Sequence, residues 1–390
     1  MSLEIGNPFT PGFGVRPPLL AGRLDLVQQI QVDVRRGPGS PMFHHVVVGA
    51  RGTGKTVLLA EVVDSLVSEH DAVIVWWTAG ARDFESAVLD GVADSERTLL
   101  SKVRRGLRRL DVKVGVGVAD ISADLSSASP PQSAHAALGR IARLAAARQR
   151  TVLLVVDEVQ MATVEEVRAL AGAIQELAQV RRLPLSLLAA GLPNAPTRLA
   201  AATFLERQAL LHVGNLDQRA TAEAIHVPIV DAGRTIDADA LQALVDGSQG
   251  YPYAVQLMAS YAWDASDGDS IDLSAATIGL VRGTAQLNEQ LYATRWRLMT
   301  DLDRRYVVAV AECLDPGTGW ASVSEVSAHL GTKVSSLSQT RDRLIRQHEV
   351  LASPGRNRLE FTLPGFAVWA LAARPGLTRS DGGWHQPSAS

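Results

Sequence analysis

The stretch Gly49-Ala50-Arg51-Gly52-Thr53-Gly54-Lys55-Thr56 has the form G-x-x-x-x-G-K-[ST]. Residues of these types at this spacing hold phosphate. The glycines let backbone N–H groups approach polyphosphate oxygens, and a helix that starts at the end of the loop points the positive end of its dipole at the same atoms. Lys55 would reach the β- and γ-phosphates, and the Thr56 hydroxyl would ligate Mg²⁺. A second pair, Asp157-Glu158, directly follows the apolar run Val152-Leu153-Leu154-Val155-Val156. Asp157 at a strand end can hold Mg²⁺ through water, and Glu158 is then placed to orient and deprotonate a water attacking the γ-phosphate. The two motifs together point to nucleotide hydrolysis. Asn194, in the loop after the run Leu185 to Gly191, is the nearest polar side chain that could sense the γ-phosphate, and it reads equally well as a turn residue.

These groups need a frame. Val46-Val47-Val48 before the loop and Val57 to Val63 after it supply the strand and helix that the phosphate loop requires. The runs at 72–77, 151–156 and 185–191 are continuously apolar, as in parallel strands buried on both faces, and a shorter run ends at Val213. Helical patterns near 24–34, 83–109 and 138–144 alternate with them. An α/β, parallel-sheet core over 21–213 follows, preceded by a Pro- and Gly-rich arm, 1–20, expected to lie on the domain surface. Arg104, Arg105, Arg108 and Arg109 read as a solvated helix end. The alternation from Val112 to Leu125 predicts an inserted β-hairpin, either an ordinary edge or a partner-binding device.

From Gly214 the pattern becomes helical only. A small helical lid is expected over 214–274, with Asp217 and Asp237 as N-caps and Gly250-Tyr251-Pro252-Tyr253 as an interruption, then a connector helix over 275–299. Residues 300–375 read as three helices and a short hairpin, a winged helix, followed by a disordered tail, 376–390. Seven basic residues against three acidic between 333 and 374 make this segment locally positive. Arg341 and Arg343 on its third helix, with Arg356 and Arg358 in the turn, would contact duplex DNA. Ser335, Ser338, Gln339 and Thr340 nearby suit phosphate contacts better than base reading.

Composition sets outer limits. The chain has 390 residues, 46% hydrophobic and 20% charged, which is ordinary for soluble protein of two or three domains. Its net charge of −3 gives no global attraction to nucleic acid, so any such contact must be local. Cys313 is the lone cysteine, which excludes a disulfide within the chain and a cysteine metal site and fits a reducing cytosol. The N-terminus has no secretory pattern, and no apolar run approaches the ~20 residues of a membrane span. A cytoplasmic protein without membrane contact is expected.

With these residues in place, the chain resembles the AAA+/STAND-type P-loop ATPases of the origin-recognition and archaeal-ATPase group, over about 15–375. The likeness rests on Ala21-Gly22-Arg23, the two phosphate motifs, the lid and the winged helix. It implies that Gly22 and Arg23 border the adenine, that Lys55 and Thr56 grip phosphate and Mg²⁺, and that Asp157-Glu158 is the Walker B pair. Arg207 matches the place from which such proteins offer an arginine finger to a neighbouring subunit. Gly250-Tyr251-Pro252 resembles the G-x-P lid motif of STAND switches and stands where many AAA+ lids carry a sensor arginine, which favours a nucleotide-gated switch over a fast motor. The resemblance thus implies ATP or ADP with Mg²⁺, slow hydrolysis dependent on assembly into homo-oligomers, and coupling of nucleotide state to DNA binding through the winged helix. The alternative is an ATP-dependent protein-interaction module whose winged helix docks a protein partner.

Overall fold

The computed structural model describes residues 6–12, 14–109, 131–199, 209–373, 378–380 and 383–385. The expected hairpin at 112–125 and Arg207 lie outside the described residues.

The continuous apolar runs become one parallel sheet. Strands β1 (His45–Val48), β2 (Val73–Thr78), β3 (Val152–Asp157), β4 (Leu185–Gly191) and β5 (Ala209–His212) pair in the order β2-β3-β4-β1-β5. Because β1, β3 and β4 are buried along their whole length, alternate side chains serve two cores. Val47, Leu153, Val155 and Leu188 pack with α1 (Leu24–Arg35) and α2 (Lys55–His70). Val46, Val48, Leu154, Val156 and Leu187 pack with α3 (Phe84–Arg109), α4 (Ala134–Ala146) and α5 (Val164–Ala173) on the other face. Register pairs Val48 with Gly191 and Thr78 with Asp157, so the loops leaving β1, β3 and β4 meet at one carboxyl edge. The chain leaves β1 for β2 across two intervening strands, which places the phosphate loop where strand order reverses, the usual ligand position of open α/β sheets.

After β4 come α6 (Ala195–Leu199) and, beyond β5, α7 (Gln218–Asp231), α8 (Ala238–Ser248), α9 (Pro252–Ala265) and α10 (Leu273–Leu287). This region is not helices only: β6 (Thr235–Ile236) and β7 (Ser270–Ile271) pair in parallel, two residues each and too short to show a period. Asp217 caps α7 as expected, accepting from the Ala220 N–H, whereas Asp237 accepts from Ser270 Oγ at 2.7 Å across this strand pair. The expected connector helix begins at Leu273, passes through π turns at Asn288–Ala293 and resumes as α11 (Thr294–Leu298).

The C-terminal segment contains α12 (Asp301–Glu312), β8 (Ala321–Ser322), α13 (Val323–His329), α14 (Ser338–Arg346), β9 (Leu351–Ala352), β10 (Arg358–Phe361) and α15 (Phe366–Ala373). Its strands form an antiparallel sheet in the order β8-β10-β9. Helix α15 carries no sequence signal because it is apolar all round. Phe366 and Trp369 stack at 5.5 Å and contact Tyr292, fastening α15 to the π turns. One hydrophobic core runs without interruption from α7–α9 into α12–α15. In the tail, β11 (Thr378–Ser380) pairs antiparallel with β12 (Gly383–His385), which its composition does not announce.

Candidate active site

Lys55 opens α2, and its Nζ donates to the carbonyls of Gly49 and Ala50 at 3.0 and 2.8 Å. Thr56 Oγ1 donates to Asp157 Oδ2 at 2.8 Å, so the hydroxyl and carboxylate expected to share Mg²⁺ are already neighbours. Asp157 Oδ1 accepts from the Glu158 N–H at 2.9 Å. Glu158 sits at φ 53°, in the left-handed region that a non-glycine residue occupies only under constraint. Gln160 supplies part of that constraint: its Nε2 donates to Glu158 Oε2, while its Oε1 accepts from the Leu192 N–H at 3.1 Å and so ties the ends of β3 and β4 together. A Cβ on Gly191 would lie 2.7 Å from that Oε1, which explains the glycine. Burial pushes Lys55 down to about 8, opposed by Glu158 and Asp157, and burial also raises Asp157.

The loop faces a cavity of about 510 Å³, well within the ~300–1,000 Å³ range of small-molecule pockets. Arg51 to Val57 and Glu158 form one side; Tyr251, Pro252 and Gln256 form another. Tyr251 closes over the loop so tightly that a Cβ on Gly52 would fall 2.2 Å from its hydroxyl oxygen. Arg23, Arg51, Lys55 and Arg295 line the cavity against one carboxylate, Glu158, an electropositive lining suited to polyphosphate. Gly22 meets α7 at Ala220, and Arg23 donates to the Gly214 carbonyl. Arg295 had no sequence signal. It lines the cavity from α11, donates to the Leu291 carbonyl at 3.0 Å, and is lowered in pKa by burial and by the charge of Arg51.

The N-terminal arm is a wall of this cavity rather than a surface strap: Thr10, Val15, Pro17 and Leu20 line it. Phe9 is buried in the core shared with α9, Asn7 Nδ2 donates to the Ser260 carbonyl at 3.0 Å and to Asp264 Oδ1 at 2.8 Å, and the Thr10 N–H reaches Gln256 Oε1 at 3.2 Å. Asn194 is not brought to the cavity. It lines a separate cleft beside Gln160, with its Oδ1 buried and without a hydrogen-bond partner among the described residues.

The phosphate loop is also fastened to the C-terminal segment. The Arg51 guanidinium pairs with Glu349, and the Arg51 N–H donates to the Thr362 carbonyl at 2.9 Å. Of the arginines expected to contact DNA, Arg343 proves to be committed elsewhere: its Nε and Nη2 donate to the fully buried Asp303 carboxylate at 3.0 and 2.6 Å. Arg358 lies over the Trp320 ring at 4.8 Å. Arg341 and Arg356 line the cleft that also holds Asn194, and Thr340, read as an exposed polar group, is buried.

The AAA ATPase domain family matches residues 20–188. A domain of unknown function, DUF8462, matches residues 289–370. No curated protein matches the chain. The structure of the ORC2 protein of Aeropyrum pernix in its ADPNP-ADP complexes is 13% identical, covers 93% of this chain and 95% of its own, and superposes with a TM-score of 0.56. The Walker-type ATPase paby2304 of Pyrococcus abyssi is 12% identical, with 92% and 97% covered and a TM-score of 0.55. Identities this low speak for the fold alone. No helix among the described residues is long and apolar enough to cross a membrane. Residues 20–188 thus match the AAA ATPase domain family, and the chain takes the P-loop parallel-sheet fold also seen in that ORC2 protein and that Walker-type ATPase.

Proposed function

We propose that the chain is an ATP-binding and hydrolysing AAA+/STAND-like switch that couples nucleotide state to DNA binding through a C-terminal winged helix, α12–α14 with the β8-β10-β9 sheet. The observation that carries this reading is the double tie of Arg51 to Glu349 and Thr362, because it makes a residue of the phosphate loop a direct neighbour of the C-terminal segment. Lys55 and the loop N–H groups hold the phosphates, Thr56 and Asp157 hold Mg²⁺, and Glu158 activates the water. The similar ORC2 structure is of ADPNP-ADP complexes, and we carry an adenine nucleotide over to this chain with Gly22, Arg23 and the arm beside the base. Arg207 acts in trans from a neighbouring subunit, as the resemblance implies, so hydrolysis in the cytoplasm is slow until the protein assembles.

Duplex contact falls to Arg341, Arg356 and the exposed edge of Arg358. Arg341 faces the core, so it meets a duplex only when α14 moves away, and the nucleotide governs that movement through Arg51. One observation favours the second reading, a winged helix that docks a protein: Arg343 and Arg358 are engaged internally. Nucleotide binding, hydrolysis and duplex affinity are to be measured for the parent, Lys55→Ala and Glu158→Gln. Lys55→Ala should not bind ATP, and Glu158→Gln should bind without turnover. Parent-like turnover by Glu158→Gln would remove it as the base. An absence of duplex binding at low salt in every nucleotide state would transfer the assignment to protein docking.

A further inference from the structure

A second cavity, of about 680 Å³, lies between the ATPase core and the C-terminal segment. Arg198 on α6 faces it from the core, from a position that no sequence motif marks. Arg341 and Arg346 on α14 and Arg356 in the β9–β10 turn face it from the opposite wall. The ties from Arg51 to Glu349 and Thr362 hold the walls at this spacing. Among the described residues none of these four arginines forms an ion pair, unlike Arg51 and Arg343. The carboxylates in the cleft are Asp342 and Glu349, and Glu349 is already matched by Arg51. The cleft therefore holds an excess of guanidinium groups converging from three elements, and among the described residues that line it there is no aromatic side chain on which a base could stack. Such a lining suits phosphate oxygens more than stacked bases.

We propose that this cleft binds the sugar-phosphate backbone of a single nucleic-acid strand, with Arg198 of the core and Arg341 and Arg356 of the C-terminal segment on the same strand. The inference rests on the nucleic-acid reading above and changes the form of the ligand in the closed arrangement. A cleft of about 680 Å³ is on the scale of one extended backbone segment, whereas a duplex is the bulkier ligand. Free polyphosphate presents the same chemistry, and the experiment separates the two.

The full chain, without nucleotide so that the ties from Arg51 are kept, is titrated against labelled oligothymidylate, a labelled duplex and tripolyphosphate over a range of salt, with Lys55→Ala as the control for tripolyphosphate taken up by the phosphate loop. Parent protein should prefer the single strand. Arg198→Ala and Arg341→Ala should each weaken it about tenfold and lower the salt slope by ~0.7, the value for one lost contact to a single strand. Arg198→Lys, which retains the charge, should recover most of the affinity, and Arg198→Ala should keep parental ATP-analogue binding because Arg198 lies outside the nucleotide cavity. If Arg341→Ala and Arg356→Ala weaken binding while Arg198→Ala does not, the cleft assignment fails and the winged-helix reading stands. Preference for the duplex, or tripolyphosphate competing as strongly as the strand, also overturns the proposal. No binding of either nucleic acid sinks the DNA reading itself.

Discussion

The Arg51–Glu349 pair makes the proposed coupling measurable through Glu349→Gln. This substitution keeps the shape and a hydrogen-bonding amide but removes the charge opposite Arg51. The two side chains are 28% and 16% exposed, between the exposed pairs that contribute about 0–1 kcal/mol and the buried ones whose breaking costs about 3–5 kcal/mol. A coupling of about 1–2 kcal/mol follows for this intermediate burial. If Arg51 must leave Glu349 to meet a phosphate, that same energy opposes nucleotide binding. Glu349→Gln should then bind a non-hydrolysable ATP analogue roughly 5–30 times more tightly than the parent, the factor equivalent to 1–2 kcal/mol. Calorimetric titration of parent, Glu349→Gln, Arg51→Ala and the double variant supplies the test, since a cycle isolates the pair term. Unchanged or weaker affinity in Glu349→Gln would refute the reasoning and reduce the pair to a structural strut.

Asp303→Asn should destabilise the protein by about 1–3 kcal/mol in urea unfolding, because it removes a fully buried carboxylate while Arg343, 31% exposed, stays partly solvated; a change under about 0.5 kcal/mol would show that the pair is not holding α14 to α12. Acid stability should report His44, whose pKa is pushed down to about 4 by burial and then by the charge of His45, and whose Nδ1 accepts from the Leu187 N–H at 3.1 Å only while the ring is unprotonated on that nitrogen. The unfolded chain takes up this proton first as pH falls, so the contribution is intact above about 6.5 and lost progressively towards about 4, to a total of roughly 3 kcal/mol. A urea midpoint that changes equally with pH in the parent and in His44→Gln would refute that assignment.

Local chemistry made much of the nucleotide site legible. Gly49 to Thr56 and Asp157-Glu158 are contiguous stretches whose residue types already state what they can hold, and the apolar runs that carry them allow few partners other than a buried parallel sheet. The meeting of Thr56 with Asp157 follows once those runs share a sheet with a common carboxyl edge. The tertiary structure decided what no period encodes. Pro and Gly in the arm fix its extended conformation but not that Phe9 and Asn7 anchor it to α9 and make it a cavity wall. Arg343 and Arg341, two residues apart on α14, look alike in sequence, and only the position of Asp303 makes one a buried tie and leaves the other facing the cleft. Arg295, Tyr251 over Gly52, Gln160 against Glu158, and Arg51 with Glu349 are likewise contacts between groups brought together by packing. The sequence by itself determined which atoms could bind phosphate, because a short backbone loop and its neighbours carry that information. Which charges face the nucleotide, the cleft or each other was decided by helix placement, because a side chain's partners across the core depend on distances that local spacing does not set.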